Sequence, residues 1–69
     1  MAMHAGVRVR HWREIYGLTQ LELARAARMD NTKLCRIESG EQEARASEVE
    51  ALAKALGLTM VEFYGGEAA

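Results

Sequence analysis

The sequence has no proline, a single cysteine and no apolar stretch of the roughly 18 residues that a membrane span needs. One cysteine cannot form an internal disulfide, and no Cys and His spacing matches a zinc site. Because no signal-like segment is present either, we expect a cytoplasmic protein that neither spans a membrane nor is secreted. No nucleophile is paired with a base, so we expect no enzyme activity, and nothing indicates a cofactor, metal or small-molecule ligand.

The length of the chain, 69 residues, is enough for one small hydrophobic core. We therefore predict a single domain over residues 1–69, ordered from about 6 to 64 and followed by a frayed tail at 65–69. A core of this size supplies only about 3–5 kcal/mol of stability. With neither a disulfide nor a metal, association with a second copy is the remaining means of stabilisation.

Charge is unevenly distributed along a chain whose formal net charge is only −1. Residues 1–36 contain seven Arg or Lys and three acidic residues, a net charge of +4. Residues 37–69 contain two basic residues and seven Glu, a net charge of −5. A basic half favours a nucleic-acid partner, although solvated charged faces are the alternative interpretation.

Capping residues mark the starts of three predicted helices. Thr19 is followed three residues later by Glu22, and Thr59 by Glu62, which is the spacing of a capping box. Asp30 is a good N-cap for the helix between them. These signals predict helices over about 20–27, 31–39 and 60–64.

Apolar periodicity predicts two further helices and an all-α fold of five short helices. The first spans about 6–16 and is stopped by Gly17. Its predicted inward side chains are Val9, Trp12 and Tyr16. The fourth helix begins near 46–48, where Ser47 and Glu50 have capping-box spacing, and ends before Gly57.

The segment from Gly17 to Gly40 is predicted to form two helices joined by a tight turn. Leu23, Ala24 and Ala27 are the apolar stripe of the first helix, and Leu34, Ile37 and Glu38 share one face of the second. Helices this short must pack steeply on a third helix. The other face of the second helix carries the donor groups used on base edges and phosphates, at Asn31, Thr32, Lys33 and Arg36.

This pattern resembles the helix-turn-helix of the lambda/434 repressor and Cro family, the XRE-type transcriptional regulators, over about 7–64. The matching motifs are Arg13, Gly17-Leu18-Thr19-Gln20, Leu23-Ala24, Arg36-Ile37-Glu38-Ser39-Gly40, Leu52-Ala53-Lys54-Ala55-Leu56-Gly57 and Phe63-Tyr64. Arg28 stands at the turn position where the family usually has Gly, so it must become left-handed or reshape the turn, at a cost of about 1 kcal/mol. Glu41 and Glu43 follow the third helix, where many relatives carry residues that face phosphates.

The resemblance implies sequence-specific binding of double-stranded DNA, with the N-terminus of the third helix in the major groove. The candidate base-contacting residues are Asn31, Thr32, Lys33 and Arg36. Arg36 is the best candidate for bidentate contact with guanine, and Lys33 for guanine or a phosphate. Gln20 opens the second helix, and the resemblance implies that it contacts the DNA backbone and braces the start of the third helix.

We expect five further residues to have structural rather than DNA-contacting roles. Arg13 and Glu38 form, in the resembling family, a partly buried ion pair that ties the first helix to the third. Phe63 and Tyr64 match positions that pack in the core. Cys35 is expected to be a small, semi-buried side chain, and a redox switch on the third helix is the less favoured alternative.

The expected function is transcription regulation in a prokaryote or phage, by a homodimer that acts as a repressor on a palindromic operator and responds to its own concentration or to a partner protein. Val61 is apolar where relatives commonly carry an acidic residue, so we predict a dimer interface with Met60, Val61 and Arg45 in the nearby loop. One alternative is the antitoxin of a toxin–antitoxin pair. Another is a protein-interaction module on the same fold, which Glu41 and Glu43 favour.

Overall fold

The structure is a computed structural model of the chain and describes residues 4–65. Its helices are α1 (Ala5–Ile15), α2 (Gln20–Ala26), α3 (Asn31–Ser39), α4 (Ala46–Ala55) and α5 (Met60–Gly65). No strand occurs within the described residues, which confirms the predicted all-α fold of five short helices. Gly65, predicted to be the first residue of the tail at 65–69, is the last residue of α5, and the rest of that tail lies outside the described residues.

Three helices begin at the capping residues predicted from the sequence. At α2, the Thr19 hydroxyl accepts from the Glu22 N–H at 3.0 Å, and the Glu22 carboxylate accepts from the Thr19 N–H at 2.8 Å. Thr59 and Glu62 form the same pair of bonds at α5. The Asp30 carboxylate accepts from two N–H groups in the first turn of α3. Local hydrogen bonding therefore sets these starts.

α4 begins at Ala46, within the predicted range of 46–48, but its capping residues and the start of α1 differ from the prediction. The Arg45 N–H donates to the Glu48 carboxylate at 2.8 Å, so α4 begins at Ala46, and the predicted capping box at Ser47 is wrong. Glu48 stands three residues after Arg45, so its carboxylate can accept from the Arg45 N–H. Ser47 then lies inside the first turn of α4 and is not its N-cap. At α1, the His4 imidazole Nδ1 accepts from the Val7 N–H at 3.3 Å, which starts that helix one residue early.

The turn between α2 and α3 keeps its geometry without glycine. Arg28 has a φ of 56°, so it takes the left-handed conformation, one of the two outcomes that the sequence left open. The Met29 N–H donates to the Ala24 carbonyl at 2.8 Å and closes the turn. Gly17 ends α1 with a φ of 70°, and Gly40 ends α3 with a φ of 88°, as their positions predict.

All five helices contribute to one hydrophobic core. Its buried members are Val9, Trp12, Leu23, Ala24, Leu34, Val49, Leu52, Ala53, Leu56 and Phe63. The Trp12 indole N–H donates to the Phe63 carbonyl at 3.0 Å and joins α1 to α5. Tyr16 and Tyr64, which the sequence placed inside, are exposed. Tyr16 stacks on Trp12 and Tyr64 meets Phe63 edge-on, so these rings cover the core while their polar ends remain near water.

Candidate nucleic-acid interface

α3 has one buried face and one exposed polar face. Leu34 and Ile37 are buried on α1 and α2, whereas Asn31, Thr32 and Arg36 are exposed. Within residues 4–65, no hydrogen bond or ion pair engages the side chains of these three exposed residues. An amide, a hydroxyl and a guanidinium are thus presented together, with their donors available to base edges or phosphates.

Behind this face, Arg13 of α1 and Glu38 of α3 form a bidentate ion pair. Arg13 Nε lies 2.8 Å and Nη2 lies 3.0 Å from the two carboxylate oxygens. The two side chains are 13% and 3% exposed, and Arg13 Nη1 also donates to the Leu18 carbonyl at 2.8 Å. The hydrogen bond from Arg13 to Glu38 raises the pKa of the guanidinium, against the opposing effect of desolvation. This is the arrangement that the resemblance implies, and it fixes α3 on α1.

Gln20, at the start of α2, is bonded to the middle and end of α3. Its side-chain N–H donates to Glu38 Oε1 at 3.0 Å, and its Oε1 accepts from the Cys35 thiol at 2.9 Å. The expectation that it braces the start of α3 is therefore wrong, because its side chain reaches the opposite end of that helix. Cys35 is exposed rather than semi-buried, since it lies at the rim between α2 and α3.

Lys33 differs from its neighbours on α3 because its ammonium forms an ion pair with Glu48 Oε2, in the first turn of α4. The Lys33 side chain is 35% exposed and that of Glu48 is 14% exposed. The hydrogen bond from Lys33 lowers the pKa of Glu48, and the bond from the Arg45 N–H lowers it further. The structure thus places this predicted DNA-contacting group against α4.

The residues predicted for the dimer interface lie at α5 and at the start of α4. Val61 is 80% exposed, the highest value among the exposed large apolar side chains of the described residues. Met60 is half-buried and packs against the core, and Arg45 is the exposed N-cap of α4.

Residues 4–65 contain no cluster of three or more His, Cys, Asp or Glu that could hold a metal ion. None of their helices combines the length and the apolar character needed to cross a membrane. The loop after α3 exposes Glu41 and Glu43, with Gln42 half-buried between them.

The α2–turn–α3 unit and the polar face of α3 define a small helix-turn-helix protein. The sequence matches the family model of a helix-turn-helix domain over residues 4–63, so the chain belongs to that family. Comparison with curated proteins and with solved structures finds no match. The family assignment agrees with the XRE-like resemblance and supports DNA binding, because domains of this type place their second helix in the major groove.

Proposed function

We propose that this protein is a transcriptional regulator that binds double-stranded DNA in a sequence-specific manner, as a homodimer on a palindromic operator. The observation that carries the proposal is the exposed face of α3, where Asn31, Thr32 and Arg36 have no partner side chain within the described residues. The resemblance to repressors supports a role in a prokaryote or phage, and we propose that the protein acts in the cytoplasm as a repressor.

In the proposed complex, the N-terminal half of α3 enters the major groove. Asn31 pairs with adenine, Thr32 contacts a base edge or a thymine methyl group, and Arg36 makes a bidentate contact with guanine. Gln20 contacts the DNA backbone. The net charge of +4 over residues 1–36 attracts the phosphates and aligns α3 with the groove.

The test begins with selection of binding sites from a randomised double-stranded DNA library. Arg36→Ala should weaken binding to the selected site by about 1–3 kcal/mol and relax the preference at one base pair, whereas Gln20→Ala should weaken selected and random sites alike. Lys54→Ala is the control, because it also removes one exposed positive charge but lies on α4. If Arg36→Ala weakened binding to selected and random DNA equally, Arg36 would not be a base-recognising residue.

Salt dependence tests DNA binding itself. The logarithm of the association constant should fall linearly with the logarithm of salt concentration, because each phosphate contact releases condensed counterions. A flat dependence would contradict the proposed function.

A protein-interaction module on the same fold is the second candidate. Glu41 and Glu43 are exposed just after α3, where negative charge opposes a phosphate track. Lys33 and Gln20 are also already bonded within the domain. A chain that captures no DNA from the library at low salt would favour this candidate.

A further inference from the structure

The two cationic side chains of α3, Lys33 and Arg36, differ in their contacts. Arg36, one turn further along the helix, is exposed and has no partner side chain within residues 4–65. Lys33 is paired with Glu48 of α4. From this difference we propose that Glu48 limits the sequence-independent part of DNA binding, by holding the Lys33 ammonium on the domain. The proposal rests on the proposed function, and it assigns Glu48 the role of a positioning residue that acts through Lys33.

Glu48 is held in place for this role by a second bond. One carboxylate oxygen accepts from the Arg45 N–H at 2.8 Å and the other pairs with Lys33. If Lys33 moved to a phosphate, Glu48 would keep its place at the N-cap and lose its counter-charge in a site where its side chain is only 14% exposed. Losing one partner of such a pair leaves an uncompensated charge, so the domain resists the transfer.

The chemistry of lysine explains why such a restraint affects affinity more than base recognition. An ammonium on a flexible stem acts as a point charge, and on a phosphate it strengthens binding to any sequence. Competing non-specific sites greatly outnumber an operator in a genome, so a lower sequence-independent affinity leaves more protein free to reach its site. Arg36, with its planar fork of donors, remains available for a guanine.

The experiment measures binding to a 20-base-pair duplex of random sequence, by fluorescence anisotropy at several salt concentrations. Glu48→Gln keeps an acceptor for the Arg45 N–H but removes the charge that holds Lys33. We expect the slope of log K against log salt to steepen by about 0.9, and binding to tighten roughly tenfold at 50 mM salt, because one more phosphate is neutralised. Glu50→Gln is the matched control, since it makes the same charge change at an exposed position of α4.

Lys33→Met completes the cycle. In the wild-type background it should leave the slope unchanged, and in the Glu48→Gln background it should restore the wild-type slope. Equal slopes for Glu48→Gln and Glu50→Gln would overturn the proposal, as would a slope that Lys33→Met alone flattens by about 0.9. If Glu48→Gln does not fold, judged by circular dichroism, the Lys33→Met slope decides by itself. A wild-type chain that shows no salt-dependent binding would instead contradict the proposed function.

Discussion

Gly6 of α1 lies directly against the main-chain carbonyl of Ile37 in α3. A β-carbon built on Gly6 would come within 1.8 Å of that oxygen, far closer than van der Waals contact allows. The two helices therefore meet backbone to backbone at this point, which only a residue without a side chain permits. The position of the exposed face of α3 is thus fixed from behind by a glycine near the start of α1.

Gly6→Ala should destabilise the fold, because α1 and α3 must separate to admit the methyl group. We expect a loss of about 1–3 kcal/mol in the free energy of unfolding, measured by urea denaturation, despite the better helix propensity of alanine. Gly65→Ala is the control, because its β-carbon would meet nothing within 4 Å and its φ is not positive. A Gly6→Ala chain as stable as the Gly65→Ala chain would show that the helices are not in close contact.

Glu38→Ala should behave as a folding mutant. It leaves Arg13 without its counter-charge in a site where that side chain is 13% exposed, so we expect a loss of about 3–5 kcal/mol. Glu14→Ala breaks the Arg10–Glu14 pair, whose side chains are 63% and 56% exposed, and should cost no more than about 1 kcal/mol. Thermal unfolding followed by circular dichroism compares the two. Normal stability with lost DNA binding in Glu38→Ala would contradict the structural assignment.

The Lys33–Glu48 pair should make stability depend on pH in the acid range. Lys33 lowers the pKa of Glu48, so the folded carboxyl group binds its proton less readily than the unfolded one. The resulting stabilisation is fully present above the ordinary glutamate pKa of about 4.3, and it is lost as the pH falls through the lower folded value. The difference in melting temperature between wild type and Lys33→Met should therefore shrink between pH 6 and pH 2.5. A difference that stays constant over this range would contradict the prediction.

Val61→Glu should convert the proposed dimer to monomer, because two like charges would face each other across the two-fold axis. Operator binding should also weaken, since each half-site, about 10 base pairs from its partner, would be bound without linkage. Ile15→Glu makes the same kind of change at an exposed apolar residue of α1. Sedimentation distinguishes the two surfaces: a dimer that survives Val61→Glu but not Ile15→Glu places the interface on α1.

Structural features that depend on residues within about four positions of one another in the sequence, such as helix starts, were predictable. Thr19, Asp30 and Thr59 start their helices as expected, because each cap bonds to groups two or three residues away. At α4 the local signal points to the wrong pair. Ser47 and Glu50 have capping-box spacing, but the N–H that is capped belongs to Arg45, a residue type that N-cap preferences do not mark, and its partner is Glu48.

Features that join distant residues were not predictable in the same way. The contact of Gly6 with Ile37 depends on how α1 crosses α3, and no local signal marks it. The Lys33–Glu48 pair depends on where α4 begins, which the sequence left open. Tyr16 falls at an inward position of α1 by periodicity, yet it is the C-cap just past the last helical residue, and its ring lies exposed on Trp12.

Trp12 gives the domain a built-in optical probe. It is the only tryptophan in the chain, and its indole N–H is bonded to the Phe63 carbonyl at 3.0 Å, so its surroundings depend on α5 lying in place. Undocking of α5 would expose the indole to water, and tryptophan emission would shift to longer wavelength while the other helices stayed folded. Fluorescence thus reports the seating of α5 on α1, and far-ultraviolet circular dichroism reports total helix content.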